Sequence, residues 1–278
     1  MKHLIRLSDL TLEDVQAIFR LADEFAAGKH EGCLRYSTVA LFMPESSIRT
    51  RITFERGIFL MGGQSVRFPP SALDKKENVG DVVAYLSNWV SAVVVRHKDI
   101  SLLDKMAFDS DIPIINAMTD VNHPCEMLSD VYALSKMVGD VSKLKILFVG
   151  ACGNIALAWK EAAALFGFEL TQSCPSKYAM DGVRNIPDLT RAAVGKDVIC
   201  TDSLSADRLH DFAGYQITPE VMKCSGCRLL NPCPPFYRGE EVSTEVVQDD
   251  KYGFVGYDFK SCLLEVQQAV LYYLLFVA

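Results

Sequence analysis

The stretch TVALFMPESSIRTRITFERGIFLMGG, Thr38–Gly63, sets the fold. Thr38 to Met43 is an apolar, partly β-branched run of strand length, which reads as a short buried strand. Pro44-Glu45-Ser46-Ser47 interrupts it. A helix is expected from about Ile48 to Met61, stopped by Gly62-Gly63. Strand, short loop and helix in this order form the unit from which parallel sheets are assembled. Upstream, Thr11 and Asp14 have the spacing of a capping box, and Val15, Ile18, Phe19, Ala22 and Phe25 follow a 3.6-residue period. Downstream, strands are expected at Ala92 to Arg96 and Ile112 to Asn116, then a helix from His123-Pro124 to about Val138. Gly139-Asp140-Val141-Ser142 marks a boundary beyond which the pattern restarts. Lys145 to Val149 reads as a strand, followed by a glycine turn and a helix over Asn154 to Phe166. Further strands are expected at Glu169 to Ser173 and Asp197 to Thr201. The expected class is α/β, with two doubly wound parallel-sheet domains joined by helices and ligands at the strand ends. Residues 1–138 form the first domain and 139–258 the second, and a terminal helix over 259–278 packs back on the first.

Composition narrows the function. The formal net charge of −7, with no local crowd of Lys and Arg, argues against a nucleic-acid surface. It still permits a small basic pocket. The most apolar segment, Ser261 to Ala278, is shorter than the roughly 20 residues of a membrane span and carries Glu265, Gln267 and Gln268. Met1-Lys2-His3-Leu4 lacks the apolar core of a secretory signal. Nine cysteines, an odd count, then fit a reducing compartment better than a disulfide framework, so the expected location is cytoplasmic.

The chemistry concentrates at the helix that follows the first strand. Ser47-Ile48-Arg49-Thr50-Arg51 opens that helix, so backbone N–H groups and the positive dipole end face one spot. Ser47 and Thr50 add hydroxyl donors, and Arg49 can fork onto two phosphate oxygens. The competing reading is a helix start with solvated arginines. Three other segments bear on that choice. Lys75-Lys76-Glu77 opens a helical stretch that leads to the strand ending at Arg96. His123-Pro124-Cys125-Glu126 begins a helix after the next strand and its loop. Asn231-Pro232-Cys233-Pro234-Pro235 precedes Arg238-Gly239-Glu240-Glu241.

In order along the chain, these segments resemble the signature of the aspartate/ornithine carbamoyltransferases: Ser-x-Arg-Thr-Arg, a lysine loop, Val-Arg-His, His-Pro-x-Gln, and a proline-rich turn before Arg-Gly-Glu-Glu. The likeness runs from Leu7-Ser8-Asp9-Leu10 to the terminal helix. It implies a carbamoyl phosphate-binding first domain and an amine- or amino-acid-binding second domain. Ser47, Arg49 and Thr50 would cradle the phosphate, with Ile48 offering its backbone N–H. Arg96 and His123, with Thr50, would hold the carbonyl oxygen as the catalytic set. Lys75 matches a lysine that the aspartate-type enzymes donate from a neighbouring subunit, which implies a homotrimer with shared active sites. Pro232 and Cys233 would offer backbone carbonyls to the carbamoyl NH₂. The reaction implied is acyl transfer without a covalent enzyme intermediate, and it requires no metal or organic cofactor.

The chain departs from that pattern in places. Glu126 stands where the family has Gln; an ionised carboxylate only accepts hydrogen bonds and adds negative charge beside a phosphate. Asp202, at the end of the Asp197 to Thr201 strand, resembles the ornithine-type aspartate that meets the amine. Asn154 matches an asparagine used for ornithine's amino-acid end. However, Ser203-Leu204-Ser205-Ala206-Asp207 lacks the ornithine-type Ser-Met-Gly loop, Asn231-Pro232-Cys233-Pro234 replaces His-Cys-Leu-Pro, and Leu263 replaces an Arg. The expected acceptor is therefore a diamino acid or related amine. The rivals are an ordinary ornithine carbamoyltransferase and a silent family member that binds or assembles without catalysis.

Two further motifs carry less. Phe148-Val149-Gly150-Ala151-Cys152-Gly153-Asn154 invites a dinucleotide reading, but it lacks the Gly-x-Gly-x-x-Gly spacing, and no acidic residue ends the next strand at Thr171-Gln172-Ser173. Cys224, Cys227 and Cys233 could suggest zinc, with Cys200 or His210 as further ligands. Without a suitably spaced fourth ligand the expectation is buried thiols and no metal.

Overall fold

The computed structural model describes residues 1–108 and 110–278. Two compact units emerge, Met1–Tyr132 with Ser261–Ala278, and Ala133–Lys260.

The first unit holds strands β1 (Thr38–Phe42), β2 (Gln64–Phe68), β3 (Ala92–Arg96) and β4 (Ile114–Met118). They form one parallel sheet in the order β2-β1-β3-β4. Its helices are α1 (Leu12–Ala26), α2 (Ile48–Leu60), α3 (Val79–Leu86), α4 (Ile100–Phe108) and the start of α5 (Pro124–Val138). β1 and β3 are buried along nearly their whole length, as a parallel sheet covered on both faces requires. Val93, Val95, Ile114, Leu103 and Met106 pack on one face of the sheet. The capping box at Thr11 and Asp14 forms as its spacing predicts.

Two features of this sheet differ from the sequence expectation. β4 runs from Ile114 rather than Ile112. Pro113 has no N–H to give a ladder and contributes only its carbonyl, which accepts from the Val93 N–H at 2.9 Å. The strand instead continues to Met118. The β3–β4 register passes from Val95↔Asn116 to Arg96↔Met118, so a bulge sits beside Arg96 and re-aims its backbone. β2 carries no clear alternation and is largely exposed at the sheet edge, which is why it is not legible beforehand.

The opposite edge is covered by the chain's own start. Leu4 bridges to Ile115, and the buried Asn116 donates from its side chain to the Ile5 carbonyl at 2.7 Å.

The second unit holds β5 (Lys145–Val149), β6 (Glu169–Ser173), β7 (Arg184–Asn185), β8 (Val198–Thr201) and β9 (Leu229–Pro232), all parallel, in the order β7-β6-β5-β8-β9. Around them lie α6 (Asn154–Phe166), α7 (Leu189–Ala193), α8 (Pro219–Ser225), α9 (Thr244–Gln248) and α10 (Gly256–Ser261). Leu147, Ile199, Leu230, Val221 and Val242 lie in one buried cluster. β9 corrects the sequence reading, in which Asn231-Pro232 belongs to a turn. Pro232 ends a strand paired to Thr201, where its missing N–H falls at the sheet's edge.

The chain leaves α5 at Gly139, whose φ of +78° suits a residue without Cβ. The terminal helix α11 (Leu263–Phe276) packs on α1 and α2 in the first unit. Among the described residues, no helix is long and apolar enough to cross a membrane.

Candidate functional site

In the first unit the sheet order changes direction between β1 and β3. Connections leave these two strands to opposite sides, so a crevice opens beyond their carboxyl ends. Ser47 follows β1 and Arg96 ends β3. The Arg96 guanidinium donates from Nη1 to the Ser47 Oγ at 2.9 Å, which links the two elements across the switch. Ser47 is the N-cap of α2 but its side chain bonds none of the helix's own N–H groups. Its hydroxyl is turned instead to Arg96, so it caps none of the first-turn N–H groups of α2.

The two arginines of the motif differ. Arg51 donates from Nε to Glu55 Oε1 at 2.8 Å, an i,i+4 pair on the helix. Arg49 is exposed and makes no ion pair among the described residues. It is therefore the arginine available to an anion. Thr50, the next residue, is buried. Ile48 has an exposed side chain, and its backbone N–H donates to the Ser46 carbonyl at 2.9 Å.

A cavity of about 410 Å³ opens at the same strand ends, lined by Pro44, Pro70, Asp74, Arg96, His97 and Asp120 among others. Lys75 does not line it. A neighbouring cavity of about 280 Å³ takes Lys75 together with Lys98 and Lys105. Asp74, His97 and Lys98 line both, so these three residues form the wall shared by the Arg96 side and the Lys75 side.

His123 and Glu126 flank the start of α5. Both are buried, and the Glu126 Oε2 lies 4.0 Å from the His123 Nε2. Placing a carboxylate in the first turn is favoured by the helix dipole. Cys125 between them is a packing residue. Burial, helped by the neighbouring Glu126 carboxylate, pushes its thiol up to about 12, and it faces the Asn116 carbonyl.

In the second unit the sheet switches direction between β5 and β8. Asn154 opens α6 after β5, and its Oδ1 accepts from the Ile155 N–H at 2.9 Å. Asp202 follows β8, and its Oδ1 accepts from the Ser203 N–H at 2.8 Å. Between them Gly150 (φ +155°) sits close to the Phe148 ring, which a Cβ would meet at a tight 3.2 Å. The buried Gln172 fixes this turn by donating to the Gly150 carbonyl at 2.9 Å. The Cys233 N–H donates to the Thr201 carbonyl at 2.7 Å, which extends the β8–β9 pairing past Pro232.

Two groups escaped the sequence reading. The buried Glu241 accepts from the Leu204 N–H at 2.9 Å and the Tyr237 N–H at 2.7 Å, tying the loop after β8 to the Arg238-Gly239-Glu240-Glu241 segment. Its signal was the motif itself, noted only for its order. The other is the Asp74–His97 pair, each half of which adjoins a residue already singled out. Cys227, weighed above as a ligand, has its thiol pushed up to about 11 by burial and faces the Asp197 and Leu229 carbonyls.

An anion cradle at a helix start, an adjoining strand-end arginine and a buried histidine suit a phosphorylated, carbonyl-bearing ligand. The comparisons agree. Residues 2–136 match the carbamoyl-P binding domain of aspartate/ornithine carbamoyltransferase, and residues 142–274 match its Asp/Orn binding domain. The chain is 30% identical to the ornithine carbamoyltransferase of Desulfotalea psychrophila, with 97% of each chain covered. It is also 30% identical to that of Halorhodospira halophila, with 99% of each covered. Among solved structures, the ornithine carbamoyltransferase of Burkholderia thailandensis superposes with a TM-score of 0.90 at 27% identity over 99% of both chains. That of Pyrococcus furiosus gives 0.91 at 25% identity, over 100% of this chain and 98% of the other. With both of its domains matched and the fold shared from end to end, this chain belongs to the aspartate/ornithine carbamoyltransferase family, whose members are carbamoyl-group transferases.

Proposed function

We propose that this protein moves the carbamoyl group of carbamoyl phosphate to the amine of an ornithine-like diamino acid and releases phosphate. The observation that carries the reading is the Ser47–Arg96 bond at the sheet switch, beside the unpaired Arg49. In this reading Ser47, Arg49 and Thr50 take the phosphate, and the Ile48 N–H joins them by exchanging its bond to the Ser46 carbonyl for one to the ligand. Arg96, His123 and Thr50 take the carbonyl oxygen, and Pro232 and Cys233 offer carbonyls to the NH₂. The neutral amine attacks the carbonyl carbon, the oxygen becomes an oxyanion held by these donors, and the C–O bond to phosphate breaks as the new C–N bond's nitrogen gives its extra proton to the departing phosphate. Holding both substrates together supplies the orientation. Asn154 and Asp202 meet the acceptor. Residues 1–138 would thus serve carbamoyl phosphate and 139–258 the amine.

The assembly proposed is a homotrimer in the cytoplasm, with Lys75 given to a neighbour's site. Its support is an apolar strip on α2, where Ile48, Ile52 and Phe59 share one side and stay exposed, together with the open edge strand β2. Lys75 lining a different cavity from Arg96 is consistent with donation elsewhere. Calorimetric titration with carbamoyl phosphate tests the core of the reading; no affinity at millimolar ligand would refute it.

A second reading is a silent family member. Glu126 favours it, since a buried carboxylate 4.0 Å from His123 sits in place of a neutral amide. Binding of carbamoyl phosphate without turnover on any amine would select that reading.

A further inference from the structure

His97 follows Arg96 directly, lines the same cavity at the sheet's end and is only 8% exposed. Its ring is held on both sides. The Asp99 N–H donates to Nδ1 at 3.1 Å, so the neutral ring carries its proton on Nε2. That nitrogen donates to the Asp74 Oδ1 at 3.0 Å. Asp74 closes the short 3₁₀ turn Pro70–Leu73 and immediately precedes Lys75-Lys76. Its side chain is 54% exposed, so burial does not demand the bond. The consequence falls on the turn instead. Asp74, Lys75, Lys76, Glu77 and Asn78 are all exposed. The backbone bonds of this segment are local: Asp74 to Ser71 and Val82 to Asn78. Leu73 anchors the turn by packing in the core, and Asp74–His97 is its polar tie to the sheet.

We infer that His97 is a positioning residue, which through Asp74 fixes the Lys75-Lys76 turn for carbamoyl phosphate binding. The role rests on the carbamoyl transfer proposed above. Without the tie, the lysines would have to be ordered when ligand arrives, and that cost appears as weaker binding. The same pair, with Lys98, lies between the Arg96 cavity and the Lys75 cavity, and Lys75 lines only the second.

The test is a double-mutant cycle on the full-length protein, read as carbamoyl phosphate affinity and as KM against kcat. Asp74→Ala touches an exposed side chain and leaves the core whole. It should weaken affinity about fivefold or more and raise KM more than it lowers kcat. Asp74→Asn keeps an oxygen for the Nε2 proton and should restore most of the loss. In a Lys75→Ala/Lys76→Ala background, Asp74→Ala should add nothing. His97→Phe should match Asp74→Ala if it folds, and the cycle stands without it. An Asp74→Ala protein with wild-type affinity would overturn the role, as would a loss that persists once the lysines are gone. A wild type that binds no carbamoyl phosphate would overturn the proposed function itself, a result visible before any variant is made.

Discussion

Arg96 at the end of β3 donates to the hydroxyl of Ser47, the N-cap of α2, over 2.9 Å. The bond spans the point where the sheet changes direction, and the bulge beside Arg96 sets the backbone from which it reaches. On the proposed function, in which Arg96 donates to the developing oxyanion, Arg96→Ala should lower kcat by about a hundredfold or more while the fold persists. Arg96→Lys should recover little, since an ammonium lacks the planar fork. Steady-state kinetics with a circular-dichroism control checks both; an Arg96→Ala enzyme within a few-fold of wild type would contradict the assignment.

Arg49 and Arg51 lie two residues apart and should behave differently. Arg51 is committed to Glu55, whereas Arg49 is open. Arg49→Ala should weaken carbamoyl phosphate binding about tenfold or more, as loss of a charge-assisted contact does. Arg51→Ala should change it by no more than about threefold. Calorimetry on the two variants decides, and equal losses would show that the helix start acts only as a diffuse positive patch.

Glu126→Gln restores the residue type found in the family's pattern at a buried position 4.0 Å from His123. The change keeps size and leaves the fold intact, while it replaces a carboxylate with an amide that adds a donor at the proposed carbamoyl phosphate site. Carbamoyl phosphate affinity or acceptor preference should shift. Unchanged kinetics across ornithine, lysine, 2,3-diaminopropionate and aspartate would make Glu126 a bystander.

Asp14 joins the first helix to the chain's two ends. Burial alone would raise its carboxyl, but hydrogen bonds from Lys2, Tyr273 and Thr11 outweigh that and hold it well below the usual range. Burial and the same carboxylate push the Tyr273 phenol up to about 12, so it stays a donor at neutral pH. A depressed carboxyl contributes stability that is present in full above its unfolded value, about 3.9, and is lost as pH falls through the folded value. Thermal melts should thus fall steeply below about pH 4, and Asp14→Asn should lower the neutral-pH melting temperature while flattening that acid slope. An unchanged acid slope would show that other carboxylates govern it.

Much of this was legible in the sequence because the relevant signals are local. β3, β5 and α6 carry continuous apolar runs or caps, and they appear where those runs lie. The Ser47–Thr50 motif is a contiguous string at a strand–helix junction, so its placement followed from the pattern. What failed to show depends on distant partners. β2 and β9 are short edge strands whose identity comes from pairing with β1 and β8 rather than from their own residues. The start of β4 moved because Pro113 gives a carbonyl and no N–H. His97 and Asp74 lie 23 positions apart, and only folding brings them to 3.0 Å.

The central claim is tested most directly by incubating the protein with carbamoyl phosphate and a panel of amines, and measuring phosphate release together with the ureido product. Carbamoyl transfer predicts that both appear in equal amounts with ornithine or another diamino acid and that aspartate is the poorer acceptor. Phosphate release no faster than the spontaneous rate with every amine, despite tight carbamoyl phosphate binding, would contradict it.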